Sequence, residues 1–293
     1  MNLLNDIIIT KNRAIAKSYA KVNLTLDVLG KLPNGYHEVK MVMQPLNLFD
    51  LIIVKKSPFG ITVKTNIPHL PCDNRNIAYK AADLFFAETG IKGGASIKIT
   101  KNIPIAAGLA GGSGNAAAVL CALNLLYNAN LSKEKLFEMG LALGADVPYC
   151  IKNETSLAEG IGERLTTLSQ IPAVPVVLVT PPINISTADI YSRIDSAENL
   201  PKIDTDGMIS AIAECDTKKV GETLSNVMET VTINDCPEIL DIKKKMLEFG
   251  AFGSVMSGSG PSVFGIFPDN ESAKVACDYF SVKYERTFLT HTI

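Results

Sequence analysis

Residues 20–28 alternate. Ala20, Val22, Leu24, Leu26 and Val28 point one way, and Lys21, Asn23, Thr25 and Asp27 the other, which is the two-residue period of a strand. One face is expected to pack and the other to stay polar, with Lys21 and Asn23 projecting together. Leu32-Pro33-Asn34-Gly35 is a turn signal that throws Tyr36 and His37 back toward that strand. Further strands are expected at 37–42, near 50–55 and at 95–100. The period lengthens to that of helices at 76–87, closed by Gly90, at 115–127, and at 132–143, closed by Gly144. Gly144-Ala145-Asp146-Val147-Pro148 then makes a short polar corner. Residues 174–179 read as a buried strand between prolines. Helical spacing returns at 187–193, 206–214, 237–249 and 271–279, with strands at 252–256 and 262–267. The second half thus reads as helices over an antiparallel sheet. Residues 153–173 commit to no period, so the boundary is placed there, giving domains 1–160 and 161–293.

The chain's 293 residues suit two domains, and 47% hydrophobic with 20% charged residues is an ordinary globular composition. A net charge of -2 gives no footprint for nucleic acid. No stretch reaches the ~18 apolar residues of a membrane span. Residues 1–10 carry Asp6 early and lack a basic start and a small-residue cleavage site, so no leader is expected. The six cysteines are scattered and never form a CxxC pair, which suits buried thiols and a cytoplasmic protein. Three histidines without metal spacing imply no protein-held metal site.

The densest chemistry lies at 104–117, Pro-Ile-Ala-Ala-Gly-Leu-Ala-Gly-Gly-Ser-Gly-Asn-Ala-Ala, between an expected strand and an expected helix. Glycines let a bulky anion approach the main chain, and a following helix offers free N–H groups and a positive dipole end. The residues alone also allow a tight turn. They allow a dinucleotide fingerprint as well, since Gly112-Ser113-Gly114-Asn115-Ala116-Ala117 fits GxGxxA. Against it, Pro104 to Gly111 separate strand from motif, and the next acids, Glu134 and Glu138, sit in a helical pattern. A P-loop is excluded because no glycine-rich run ends in Gly-Lys-Ser/Thr, and the protein-kinase motifs are absent.

Four segments stand out together: Ala20-Lys21-Val22-Asn23-Leu24 with Gly35-Tyr36-His37, the glycine-rich segment 104–117, Gly144-Ala145-Asp146-Val147-Pro148, and Ser257-Gly258-Ser259-Gly260-Pro261. In this order, with the Asn-Gly-Tyr-His signature, they resemble the GHMP kinase superfamily. The likeness runs from about Ala20 to Phe267. It implies an α+β, two-domain fold: an N-terminal domain like ribosomal protein S5 domain 2 and a ferredoxin-like C-terminal domain. It also implies ATP, with Mg2+, phosphorylating the 2-hydroxyl of a cytidine-diphosphate-linked methylerythritol; the charge and the lack of an apolar span add the expectation of no nucleic-acid or membrane partner.

Residue by residue, the resemblance makes Asp146 the catalytic carboxylate that accepts the hydroxyl proton and Lys21 the catalytic lysine. It gives Pro104, Ala106, Ala107, Gly108, Leu109, Ala110, Gly111, Gly112, Ser113 and Gly114 to the nucleotide phosphates, and Asn76 and Lys101 to the border of the adenine pocket. His37 would read the cytosine with Tyr36 near it, Tyr191 stacking on the other side, Thr187 lining the pocket and Asn23 touching substrate near Lys21. The chain departs from the commoner loop twice: Ala110 replaces a glycine and Gly114 a serine. Without their partners, Asp146 reads as a turn aspartate, Lys21 as a solvated strand lysine, Lys101 as an exposed strand-end charge, and Tyr36-His37 as a hairpin turn. Ser257-Gly258-Ser259-Gly260 reads either as close backbone approach to acceptor or phosphates, or as a hairpin turn. A homoserine- or mevalonate-type kinase, a related decarboxylase and a non-catalytic ribosomal-type binding module remain open.

Overall fold

The structure is a computed structural model that describes residues 6–293. Residues 1–5, on which the leader-free reading partly rests, lie outside the described residues. The chain begins with β1 (Ile8–Thr10), β2 (Arg13–Lys31), β3 (His37–Ser57), β4 (Ile61–Thr65), α1 (Ile77–Thr89), β5 (Gly94–Thr100) and α2 (Gly111–Leu126). It continues with α3 (Lys133–Leu143), α4 (Val147–Lys152), β6 (Ser156–Gly160), β7 (Arg164–Thr167), β8 (Pro175–Val179), α5 (Thr187–Asp195), α6 (Thr205–Ala213) and α7 (Thr217–Glu222). It closes with β9 (Ser225–Asn226), α8 (Glu229–Thr232), α9 (Glu238–Glu248), β10 (Gly253–Met256), β11 (Val263–Ile266), α10 (Asn270–Ser281) and β12 (Thr287–His291).

The chain divides into two compact units and enters each more than once. The first takes residues up to Ala20, Leu48–Ile105 and Ala110–Asn153; the second takes Lys21–Asn47, Ala106–Leu109 and Glu154–Ile293.

In the first unit the later half of β3 runs antiparallel to β5, from Leu51↔Thr100 to Ser57↔Gly94, and β4 runs parallel to β5. A parallel pair needs a crossover, and α1 supplies it. Asn76 caps α1 at its start and Gly90, left-handed at φ 65, ends it. Ala78, Ala81, Ala82 and Phe85 make its buried stripe. α2 is apolar on almost every side and is buried from Gly114 to Asn124, so it is a core helix.

In the second unit β10, β11, β8 and β12 form an all-antiparallel sheet in that order, with the wholly buried β8 inside. α9 packs on β10 and β11, and α10 on β8 and β12. Helices over an antiparallel sheet is what the apolar spacing of this half predicts. Part of the aperiodic stretch 153–173 is a hairpin of β6 and β7, with β6 antiparallel to the first part of β3 from Val39↔Gly160 to Met43↔Ser156. Strands of five and four residues are too short to display a period.

Three expectations need correction. The strands at 37–42 and 50–55 are one, β3. The polar face of β2 is not solvated: every residue from Ser18 to Leu26 is buried. And α2 starts at Gly111 rather than at 115, so three of the loop's glycines belong to its first turn. All six cysteines are free thiols. Among the described residues no helix is long and apolar enough to cross a membrane.

Candidate functional site

In the first unit the glycine-rich segment rests on a buried charge cluster. Lys101, which without its family partners reads as an exposed strand-end charge, has a side chain only 4% exposed and paired with Asp50, which is fully buried. Asp50 also accepts hydrogen bonds from Asn102 N (2.7 Å), Ile103 N (2.9 Å) and Asn115 Nδ2 (2.8 Å). Asn115 donates to Ser18 Oγ as well (3.1 Å). This one carboxylate therefore ties the end of β5, the residues after it and the first turns of α2 together. Neither Asp50, Asn115 nor Ser18 was singled out from the sequence. Asp50 carried a signal all the same, because aspartate is depleted in strands.

The start of α2 is open to an anion. α1 and α3 are capped by the side chains of Asn76 and Ser132, whereas Ala110 at the corresponding place on α2 makes no cap. The first bond of the helix runs from Gly114 N to Ala110 O (2.8 Å), and the N–H groups of Gly111, Gly112 and Ser113 find no partner among the described residues. Gly112 is exposed and Ser113 half-buried. A Cβ on Gly111 would stand 3.0 Å from Lys101 Nζ and from Ile103, so glycine keeps that turn seated on the cluster. The departure at Gly114 has a local cause: a Cβ there would lie 2.5 Å from Ser18 Oγ, whose hydroxyl fills that space. Asn76 has its amide engaged, Oδ1 accepting from Ala78 N (2.9 Å) and Nδ2 donating to Pro71 O (2.7 Å).

Asp146 sits half-buried at the start of α4 in the same unit and uses no side-chain cap there. Beside it, the Tyr149 hydroxyl is buried without a hydrogen-bond partner among the described residues. Burial, with the charges of Cys150 and Asp146 adding to it, pushes that phenol well above its ordinary range. Tyr149 thus stays protonated near neutral pH.

The second unit holds the middle of the glycine-rich segment. Leu109 O accepts from Lys21 N (3.2 Å), and Gly108 O from Ser257 Oγ (3.0 Å). Gly108 has φ +74, and a Cβ on it would lie 2.1 Å from Ser257 O, so only glycine fits. The turn 257–260 is braced by Asn226, whose Nδ2 donates to Met256 O and Gly258 O (2.8 Å each). Ser259 Oγ and Thr187 Oγ1 share a hydrogen bond (2.8 Å). On β2, Lys21 Nζ donates to Asn23 Oδ1 (2.8 Å), and Asn23 Nδ2 points to Met41 Sδ (3.1 Å). The buried polar face of β2 is thus a set of mutually bonded groups, as burial of polar atoms requires.

The turn 32–36 does return the chain, with Leu32 N bonded to Tyr36 O (2.7 Å) and Tyr36 N to Asn34 Oδ1 (3.0 Å). Tyr36 is 58% exposed. The His37 ring lies flat on Tyr191 of α5, centroids 4.4 Å apart at 17°. That contact leaves no room for a third ring between them, so a base would stack on an outer face or part the two. His37 Nε2 meets Asp195 Oδ1 at 2.7 Å. A separate groove of about 440 Å3 between α9 and α10 contains none of the candidate residues.

Comparison with known proteins places the chain in a family. The family GHMP kinases N terminal domain matches residues 76–154, and GHMP kinases C terminal matches residues 208–285. The chain is 45% identical over 277 residues to a 4-diphosphocytidyl-2-C-methyl-D-erythritol kinase of Clostridium novyi (strain NT), covering 94% of this chain and 99% of that one. It is 46% identical over 277 residues to the kinase of the same name from Acetivibrio thermocellus, covering 94% and 98%. A crystal structure of 4-(cytidine 5'-diphospho)-2C-methyl-D-erythritol kinase matches at TM-score 0.79 and 32% identity, covering 95% and 98%. L. major mevalonate kinase matches at TM-score 0.72 and 16% identity, a likeness of fold alone.

Proposed function

The chain belongs to the GHMP kinase family, and from that membership we infer that it uses ATP to phosphorylate the 2-hydroxyl of 4-diphosphocytidyl-2-C-methyl-D-erythritol, in non-mevalonate isoprenoid precursor biosynthesis. Relatives of that name match the chain along nearly its whole length, so all four motif segments fall in the shared span. What supports the choice of acceptor is the His37–Tyr191 pair in the second unit, an aromatic surface beside a hydrogen-bonding ring, as a pyrimidine requires.

In this reading the free N–H groups of Gly111, Gly112 and Ser113 hold phosphate at the start of α2, and segment 104–110 wraps it. The acceptor oxygen attacks the γ-phosphorus, the bond to the ADP oxygen breaks, and the hydroxyl proton goes to Asp146. Lys21 favours the ionised carboxylate and steadies the nucleophile. Asn23 and Thr187 place the acceptor, His37, Tyr36 and Tyr191 hold the base, and Asn76 and Lys101 border the adenine. Magnesium, brought in with the nucleotide, would supply charge neutralisation on the transferred group. The half-buried Ser113, in the first turn of α2, would offer that ion a protein hydroxyl. Six free thiols suit a cytoplasmic enzyme, and the slight negative charge suits one with no nucleic-acid partner.

The test is an ADP-release assay over a panel of acceptors. The cytidine-linked methylerythritol should be turned over, and its phosphate-ester analogue without cytidine, homoserine and mevalonate should each be at least about a hundredfold poorer in kcat/KM. Carbon dioxide release from diphosphomevalonate would overturn the reading in favour of a decarboxylase.

A further inference from the structure

Residues 225–232 have no part in the reaction as proposed, yet in the second unit they touch three elements that do. β9 runs parallel to β2, which carries Lys21 and Asn23, with Thr25↔Ser225 and Leu26↔Asn226 in register. Val227 N extends that pairing to Leu26 O (2.9 Å). Arg193 of α5, the helix of Thr187 and Tyr191, donates to Val231 O. On the third side lies the turn 257–260. Asn226 holds it by two carbonyls, and Glu229 holds it by an amide: Glu229 Oε2 accepts from Met256 N (2.9 Å). The other oxygen of Glu229 accepts from Lys243 of α9. The Glu229 side chain is 13% exposed and that of Lys243 24%.

Met256 is the last residue of β10, and β10 is an edge of its sheet. An edge-strand N–H needs a partner from outside the sheet, and Glu229 is that partner. Beyond Met256, backbone rests on backbone. A Cβ on Gly108 would lie 2.1 Å from Ser257 O, and one on Gly258 would lie 3.2 Å from Gly108 Cα. No side chain stands between the two segments to take up a shift. Close-packed contacts of this kind transmit displacement. If the turn moves, Gly108 moves with it or the bond from Ser257 Oγ to Gly108 O (3.0 Å) opens.

We propose that Glu229 is a positioning residue for nucleotide binding: by holding Met256 N it fixes the turn 257–260, and through Ser257 and Gly258 it fixes Gly108. This rests on the reading that segment 104–110 wraps the nucleotide phosphates. It goes beyond that reading in making ATP affinity depend on a side chain of α8 that touches neither the glycine-rich segment nor any ligand. The hydrogen bond to the main chain carries the effect, and the ion pair with Lys243 only steadies it.

Three variants of the full chain separate these roles: Glu229→Ala, Glu229→Gln and Lys243→Met. Each is read by ATP titration with magnesium, by kcat at saturating ATP, by hydrogen exchange of the Met256 amide and by the urea midpoint. Lys243 already reaches solvent, so loss of its partner leaves a cation that water can take up. Glu229→Ala should weaken ATP binding about tenfold, the worth of one hydrogen bond to a charged group, with kcat within about twofold of wild type. Its Met256 amide should exchange about tenfold faster. Glu229→Gln keeps a carbonyl oxygen for Met256 N and should restore both within about threefold. Lys243→Met removes the ion pair and keeps the acceptor, so ATP affinity should stay near wild type whatever the midpoint does. A carboxyl group that served stability alone would lower the midpoint in Glu229→Ala and leave ATP affinity unmoved. That result, or an equal loss of ATP affinity in Glu229→Gln, overturns the proposal. If wild type itself binds no ATP, the functional reading falls and takes this one with it.

Discussion

Two of the molecule's charged clusters are built on opposite plans. In the first unit Asp50 is fully buried and takes donors from Lys101, Asn102, Ile103 and Asn115 at once. In the second, Asp195 keeps a 28% exposed side chain and makes one bond to a histidine and one to an exposed lysine. The first cluster is a knot: removing any member strands the others in a medium where an unpaired charge is costly. The second is a corner whose members can be changed singly. Under the proposed function the contrast follows the ligands. Phosphate demands a fixed cradle of main-chain donors, and a base demands a few exchangeable side-chain contacts that discriminate.

The largest effect should come from separating chemistry from that scaffold. Asp146→Asn keeps shape but cannot take a proton, so kcat should fall by about 10²–10⁴ with melting temperature and ATP affinity unchanged. Lys21→Ala should also collapse kcat, and the double variant should be little worse than the poorer single one, as for residues acting as a unit. Near wild-type turnover in Asp146→Asn would remove the proposed mechanism, and additive losses would show that the two do not act together.

The next largest tests the knot itself. Asp50→Ala leaves a buried ammonium and the buried N–H of Ile103 without an acceptor, so unfolding stability should drop by about 3–5 kcal/mol, read from urea midpoints. ATP affinity should fall with it, because α2 loses the carboxylate under its first turns. Asp195→Ala should scarcely move the midpoint. Equal destabilisation by the two variants would break the comparison. Third comes the corner: His37→Ala should raise the KM for the cytidine-linked acceptor about tenfold, one lost hydrogen bond and stack, and leave ATP alone. Loss of ATP binding instead would mean that the two pockets have been exchanged.

What could be read from the chain depended on how local its cause was. The alternation at 20–28, the stop at Gly90 and the N-cap serine at 132 are decided within a few residues, and the elements they mark are present. The burial of Lys21, Asn23 and Thr25 was not legible. Alternation assigns polar groups to an outer face, and only their bonds to each other and to Val42 N let that face be covered. The start of α2 was missed because glycine is a poor helix former, and tertiary packing on Lys101 and Ile103 overrides that preference. Of the candidate site, the glycine-rich segment was legible in itself, and Tyr36, His37, Lys21 and Asp146 through the family likeness. Asp195 was not, standing 158 residues from the ring it touches.

The smallest effect separates the two kinds of special backbone in the glycine-rich segment. Gly108 must be glycine for space, with Ser257 O only 2.1 Å from where a Cβ would sit. Ala110 has no such excuse: it is left-handed, φ 54 and ψ 23, and carries a Cβ regardless. A left-handed L-residue costs about 1–2 kcal/mol. Glycine removes that strain, while its freer unfolded chain returns about 0.4–1 kcal/mol. Ala110→Gly should therefore stabilise the protein by about 0.5–1 kcal/mol and leave the KM for ATP within about twofold, since the turn already holds the conformation that glycine prefers. Urea midpoints beside ATP titration read both. A loss of stability would mean that the alanine methyl makes packing contacts worth more than its strain. A weaker ATP affinity in a more stable protein would mean that the strained turn, rather than the free N–H groups alone, sets how the phosphates are held.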